Sequence, residues 1–205
     1  MSTPRPTQSI IWLPVLPARP SGEEIAIKPT ATLQWIEHSF IAIYSAHLSH
    51  PDPTTIPTLD LRSKLAIYTA VHEYCTPRES DPIARRRGLY LRGEEVYIAL
   101  QKQLRKHCIR VRNLLLTVED ADAAAAKTSN VYMARYEQHM HVADLMKNVL
   151  RFLERHCIIR EPDEHRYTLN GHEVYTIKDL HKEVWKEEIL KLDDNASDLA
   201  GEGMG

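Results

Sequence analysis

The sequence predicts an all-α domain. Apolar residues recur at helical spacing through five successive stretches, strand-like alternation is almost absent, and prolines sit at the boundaries between the stretches. Six of the twelve prolines fall in the first thirty residues, so 1–30 reads as an extended, disordered Pro-rich arm. The acidic, glycine-bearing end DDNASDLAGEGMG reads as a disordered tail over 193–205. Residues 31–192 are left as the helical domain.

The first predicted helix runs from about Thr32 to His50, with Leu33, Ile36, Phe40, Ile43 and His47 at helical spacing. Pro51, Pro53 and Pro57 end it. Asp60 is placed to cap the second helix, which continues to Cys75 and stops before Pro77. The third spans about Gly88 to Leu116 with the stripe Leu89, Val96, Leu100, Leu104, Cys108, Val111 and Leu115. After the alanine run 123–126, Ser129 is a capping candidate for the fourth helix, about 129–156. Its apolar row is Tyr132, Tyr136, His139, Ala143, Met146, Leu150 and Leu153; Glu137, His141, Asp144, Asn148, Arg151 and Arg155 line the other face. Asn170–Gly171 fits a short hairpin or a simple turn. The fifth helix, about Thr176 to Leu192, carries Ile177, Leu180, Val184, Trp185 and Ile189.

Apolar residues at 43% and charged residues at 26% are those of an ordinary globular chain. A net charge of −2 gives no global attraction to nucleic acid or anionic membrane. The apolar run of SIIWLPVLPARP is broken by Pro14 and Pro17, which argues against an export signal. Three widely separated cysteines fit a reducing compartment, cytoplasm or nucleus.

Eleven histidines invite a metal reading, and spacing argues against it. His139 and His141, two apart on a helix, point about 200° apart and cannot chelate together. His47 and His50 share a face in a last helical turn, where histidine covers free carbonyls. HExxH, CxxC, G-x-S-x-G and phosphate-cradling glycine loops are all missing, so no cofactor and no catalytic group is expected. In LRFLERHCIIREPDEHRY, 150–167, acids alternate with arginines as at a solvated helix end. Arg85–Arg87 with Lys102, Arg105, Lys106, Arg110 and Arg112 offer an alternative, a nucleic-acid-binding helical protein or a generic interaction protein. Those cations are spread over several faces with no interleaved aromatics.

The second helix is more informative. At about 100° per residue, its polar or small arc holds only Arg62, Ala66, Thr69 and Glu73. A helix packed on one side needs an apolar stripe of little more than about 100°. Here Leu61, Lys64, Leu65, Tyr68 and His72 are surplus, apolar bodies with polar tips that suit a protein–protein interface. The other option is that a further helix of the same chain covers them.

LAIYTAVHEYCT (65–76), GLYLRGEEVYIALQKQL (88–104) and YEQHMHVADLMKNVLRFLERHCIIREPDEHR (136–166) resemble, in order and spacing, the N-terminal region of cullins, the helical scaffolds of multisubunit ubiquitin ligases. The resemblance covers about 32–192 and implies one five-helix cullin repeat with a non-catalytic, scaffolding role. In that family the first repeat binds an adaptor of BTB-like fold through its second helix and the junction into its fifth. Position by position, this places Lys64, Leu65, Tyr68 and His72 on the second-helix contact face and His156 and Cys157 at the junction, and Leu61 of the surplus face joins them as a candidate contact. The second-helix motif favours an SCF-type adaptor, the partner of F-box proteins, bound by an otherwise monomeric chain.

Three departures stand out. Lys64 and His72 occupy positions where aromatics are common in the family, Cys157 replaces a bulky aromatic, and the segment between Tyr175 and Trp185 is about one helical turn longer. A full cullin has two further repeats and a C-terminal domain that holds the RING subunit, which 205 residues do not accommodate. The expectation is therefore a truncated paralogue or a fragment of a longer chain.

Overall fold

Helix α1 (Pro29–Ser49) shows how closely burial follows the sequence: Trp35, Ile36, Ser39, Phe40, Ile43, Tyr44 and His47 are buried, spaced three and four apart on one face. The computed structural model describes residues 10–12, 16–21, 23–24, 28–49, 56–76, 90–119, 125–158, 168–169 and 172–190. Helix α2 (Leu61–Cys75) begins where expected, with Asp60 Oδ1 accepting from Ser63 N at 2.9 Å and Asp60 Oδ2 from Ser63 Oγ at 2.6 Å. These bonds to the ionised carboxylate also hold the Asp60 pKa below its ordinary value. The α2 residues Ser63, Ile67, Ala70, Val71, Tyr74 and Cys75 face the core.

Helix α3 (Tyr90–Glu119), 30 residues and about 45 Å long, is the central element. Val96, Leu100, Leu104, Cys108 and Val111 form its buried stripe, and α1 packs along it. Helix α4 (Ala125–Val149) starts within the alanine run, ahead of Ser129, because alanine propagates a helix without needing that cap. A break follows at Leu150 (φ −100°, ψ 18°), then the single turn α5 (Arg151–Leu153) and a π-helical turn, Glu154–Ile158. The sequence predicts one continuous helix to 156. The π turn instead winds Glu154 inward, where it is 6% exposed and accepts from Ile177 N at 3.3 Å, the first residue of α6 (Ile177–Trp185). A carboxylate at a helix N-terminus offsets the free N–H groups there. Helix α6 is capped by Thr176, whose Oγ1 accepts from Asp179 N at 3.2 Å, and it also passes into a π turn, Lys186–Leu190.

Two short pairings complete the described structure. Strand β1 (Ile10–Trp12) runs parallel to β2 (Ile56–Thr58), which the sequence does not predict. Strands β3 (Thr168–Leu169) and β4 (His172–Glu173) pair antiparallel, and Asn170–Gly171 between them lie outside the described residues. Within the predicted disordered arm, residues 16–21 lie against the domain: Leu16 packs on the core and the Pro17 carbonyl accepts from Trp35 Nε1 at 3.1 Å. Arg19 pairs with Glu73 of α2. Tryptophan's buried N–H needs an acceptor, and the arm supplies it. The tail 193–205, Arg85–Arg87 and His50 lie outside the described residues.

Beneath α1, α3, α4 and α6 sits a buried histidine cluster that sequence reading places only in part. His47, His107, His139 and His181 are each 0–1% exposed. His107 stacks on Tyr44 at 4.9 Å between ring centroids, with His47 at 4.8 Å and His139 at 5.9 Å. His47 is thus a core residue, where helix-end spacing suggests a carbonyl cover. Burial drives all four away from the charged form, His47 to about 3 and His181 to about 4. No group of three His, Cys, Asp or Glu side chains among the described residues is placed to hold a metal ion.

A candidate docking groove between the second helix and the fourth-helix junction

The surplus face of α2 stays open to solvent. Leu61 is 71% exposed, Leu65 55% and Tyr68 38%, while Ser63, Ile67, Ala70, Val71, Tyr74 and Cys75 are buried. No helix of the described residues covers these three side chains. Across from them run the end of α4, α5 and the π turn, and the two walls enclose a groove lined by Lys64, Leu65, Tyr68, Asn148, Phe152 and His156. Val149, Arg151 and Arg155 complete the lining.

Aromatic rings form its floor. His72 meets Phe152 edge-on at 4.6 Å, Phe152 meets His156 at 4.6 Å, and Tyr68 lies parallel to His72 at 6.5 Å. Edge-on and offset contacts of this kind hold rings in fixed orientations. Lys64, Arg151 and Arg155 give the rim three cations, and no acidic side chain among the described residues lines the groove. The surface is therefore apolar at its centre and positive at its edge.

The sequence-predicted residues divide clearly. Lys64, Leu65, Tyr68 and His156 meet in the groove, and His72 supports it through Phe152. Leu61 is exposed one turn away from Leu65 and does not line it. Cys157 is half-buried, packs on the core and does not line the groove. Asn148, Arg151 and Arg155 are residues that the sequence assigns to the polar face of the fourth helix, and Phe152 is one it leaves unassigned. The turn at Leu150 and the π turn after it replace the one regular helix that a single-helix projection assumes, so that projection carries no signal of this wall.

The basic third helix looks different once folded. Lys102 lies 3.6 Å from Glu37, Arg105 bonds Glu187 at 2.8 Å, and Arg112 donates to the Glu188 carbonyl at 3.4 Å. Cations engaged by neighbouring acids present little charge to a phosphate backbone. No helix of the described residues is long and apolar enough to cross a membrane.

Comparison with known proteins bears on the same elements. The chain is similar to Cullin-1 of Caenorhabditis elegans, 26% identical over 141 residues, covering 62% of this chain and 17% of the relative, so it spans a small part of that protein's length. No solved structure matches the chain. The family model for the cullin α-solenoid domain matches residues 60–202, from the cap of α2 through α6 and beyond. With the groove-forming helices inside the match, this chain belongs to the cullin family.

Proposed function

We propose that this chain is a non-catalytic, adaptor-binding helical module acting in ubiquitin-dependent protein degradation, in the cytoplasm or nucleus. Its docking site is the groove between α2 and the π turn. One observation carries the reading: Leu65 and Tyr68 are exposed beside Phe152 and His156, in a family whose members scaffold ubiquitin ligases. Large rings with polar tips gathered at a concave centre are the composition of interface hot spots. The cationic rim adds electrostatic selectivity for a partner bearing carboxylates around an apolar helix or strand.

Among BTB-fold adaptors, an SCF-type adaptor with its F-box protein is the favoured partner, on the likeness of the α2 motif. The direct test is titration of the purified chain with such an adaptor, read by calorimetry, with an adaptor of another cullin class as comparison. Saturable one-to-one binding that is lost in Tyr68→Ala supports the reading. Equal binding by Tyr68→Ala, or no binding to any BTB-fold adaptor, overturns it. Strong binding to nucleic acid that falls by orders of magnitude between about 50 and 200 mM salt would favour a phosphate-binding role instead.

A further inference from the structure

The N-terminal arm carries a motif that the docking groove does not use, LPVLPARP, residues 13–20. Three X-Pro pairs, Leu13–Pro14, Leu16–Pro17 and Arg19–Pro20, recur every third residue. Proline fixes its own φ and holds the residue before it extended, so such a repeat favours the polyproline II helix. With about three residues per turn, that helix carries Pro14, Pro17 and Pro20 on one edge and Leu13, Leu16 and Arg19 on the next.

The described part of this motif sits on its own domain as a ligand would. Leu16 packs on the core, the Pro17 carbonyl accepts from Trp35 Nε1 at 3.1 Å, and Arg19 pairs with Glu73 of α2. An apolar seat, an indole N–H for a backbone carbonyl and a carboxylate for an arginine are the contacts by which aromatic grooves read proline-rich segments. The hold is light. Pro17 and Ala18 are exposed, and a cleft lined by Ala18, Arg19, Pro20, Glu24, Lys28 and Ala31 lies between the arm and the start of α1. One hydrogen bond and one surface ion pair are contacts that a competing partner can replace.

We propose that the arm segment around Pro17 and Arg19 is a docking motif for an SH3-type domain, covered by Trp35 and Glu73 and released by competition. The spacing Leu-Pro-x-Leu-Pro-x-Arg offers two X-Pro pairs to two apolar slots and an arginine to carboxylates beside them. The arginine decides the class of reader. A groove without an acidic flank gains nothing from it, and its place after the prolines sets the direction in which the segment lies. Leu16, the Pro17 carbonyl and Arg19 cannot serve both, so the arm is held either by its own domain or by the partner. Glu73 lies on the polar arc of α2 and does not line the groove, so release of the arm is compatible with adaptor docking. Recruitment of an SH3-bearing protein to a ligase rests on the function proposed above; binding of the arm does not.

The experiment uses the full chain and, as the probe, an isolated SH3 domain that reads Pro-x-x-Pro-x-Arg peptides, titrated by calorimetry. A WW domain, which reads proline-rich segments without an acidic flank, is the comparison. One-to-one binding to the SH3 domain is expected, with the Trp35 indole N–H resonance shifting as the Pro17 carbonyl leaves it. Pro17→Ala keeps the carbonyl that Trp35 uses and removes only the ring; Arg19→Ala removes the cation. Each should weaken binding by about tenfold or more, with circular dichroism confirming the fold. Glu73→Ala frees Arg19 and should tighten binding by up to about fivefold, the range of a surface ion pair. The proposal is overturned if neither the unaltered chain nor Glu73→Ala binds, or if Pro17→Ala or Arg19→Ala binds as well as the unaltered chain. Weaker binding by Glu73→Ala, or a preference for the WW domain, overturns it equally. Adaptor titration is a separate measurement on a separate face, so a failed docking reading and a failed arm motif are told apart.

Discussion

The Tyr44 hydroxyl lies 3.0 Å from His181 Nε2, joining α1 to α6 across 137 positions of sequence. The tautomers follow from the partners. His181 Nδ1 sits 2.7 Å from the Ile177 carbonyl, which can only accept, so Nδ1 carries the proton and Nε2 accepts from the tyrosine. His139 Nε2 lies 3.1 Å from the His181 carbonyl and is likewise the protonated nitrogen. His139 and His181 are thus neutral imidazoles whose proton positions their partners fix.

That arrangement predicts cooperative acid unfolding. The folded-state pKa values of His47, His107, His139 and His181 all lie below the ordinary histidine value, so the unfolded chain binds more protons once the pH falls below about 6.5. Stability is fully present above that value and declines as pH falls toward the folded values. Arg135 near His47 and Arg110 near His107 add to the depression, while Asp144 opposes it at His181. Each group that titrates only on unfolding contributes a slope of about 1.4 kcal/mol per pH unit. Two or more such groups exhaust a stability of roughly 5–15 kcal/mol within a few units. Chemical denaturation across pH 4 to 7 checks this; a flat profile between pH 4 and 6 (about the span of the shifts) rules it out.

Removing one imidazole should help. Both ring nitrogens of the buried His107 lack hydrogen-bond partners, and an unsatisfied buried polar group costs about 1–3 kcal/mol. His107→Leu keeps an apolar body against Tyr44 and is expected to hold or raise the melting temperature at pH 7. It should also lower the acid slope by about one proton. A drop of more than about 2 kcal/mol would mean that ring stacking outweighs the unsatisfied nitrogens.

Docking and folding separate at Tyr68. Its ring is 38% exposed and lines the groove, so Tyr68→Ala should weaken adaptor binding by about 2 kcal/mol or more with little change in thermal stability. Unfolding of the variant would place the ring in the core. Glu73→Ala removes a half-exposed pair with Arg19 and loosens the arm, at a cost of under about 1 kcal/mol, without affecting the groove.

Expressed alone in cells, the chain should compete. If it occupies adaptor without recruiting the rest of a ligase, substrates of the matching ligase accumulate in proportion to free chain over its Kd. Tyr68→Ala should abolish the effect. Faster substrate turnover on expression would reject competition.

The sequence by itself determined the helical class, the cap at Asp60, the core stripes, the surplus apolar face of α2 and the family resemblance. These are local or periodic properties: a capping carboxylate, a three-and-four spacing and a motif in order can each be read along one chain. It also indicated one wall of the groove, through Lys64, Leu65 and Tyr68. Only the tertiary structure decided the other wall. Phe152, Arg151 and Arg155 line the groove opposite α2 from the far side of the turn at Leu150, and the π turn that follows buries Glu154 against the N-terminus of α6. The same long-range packing turned His47 from a helix-end residue into the edge of a buried cluster. Pairings between distant residues depend on how the helices pack, which helical periodicity along a single chain does not encode.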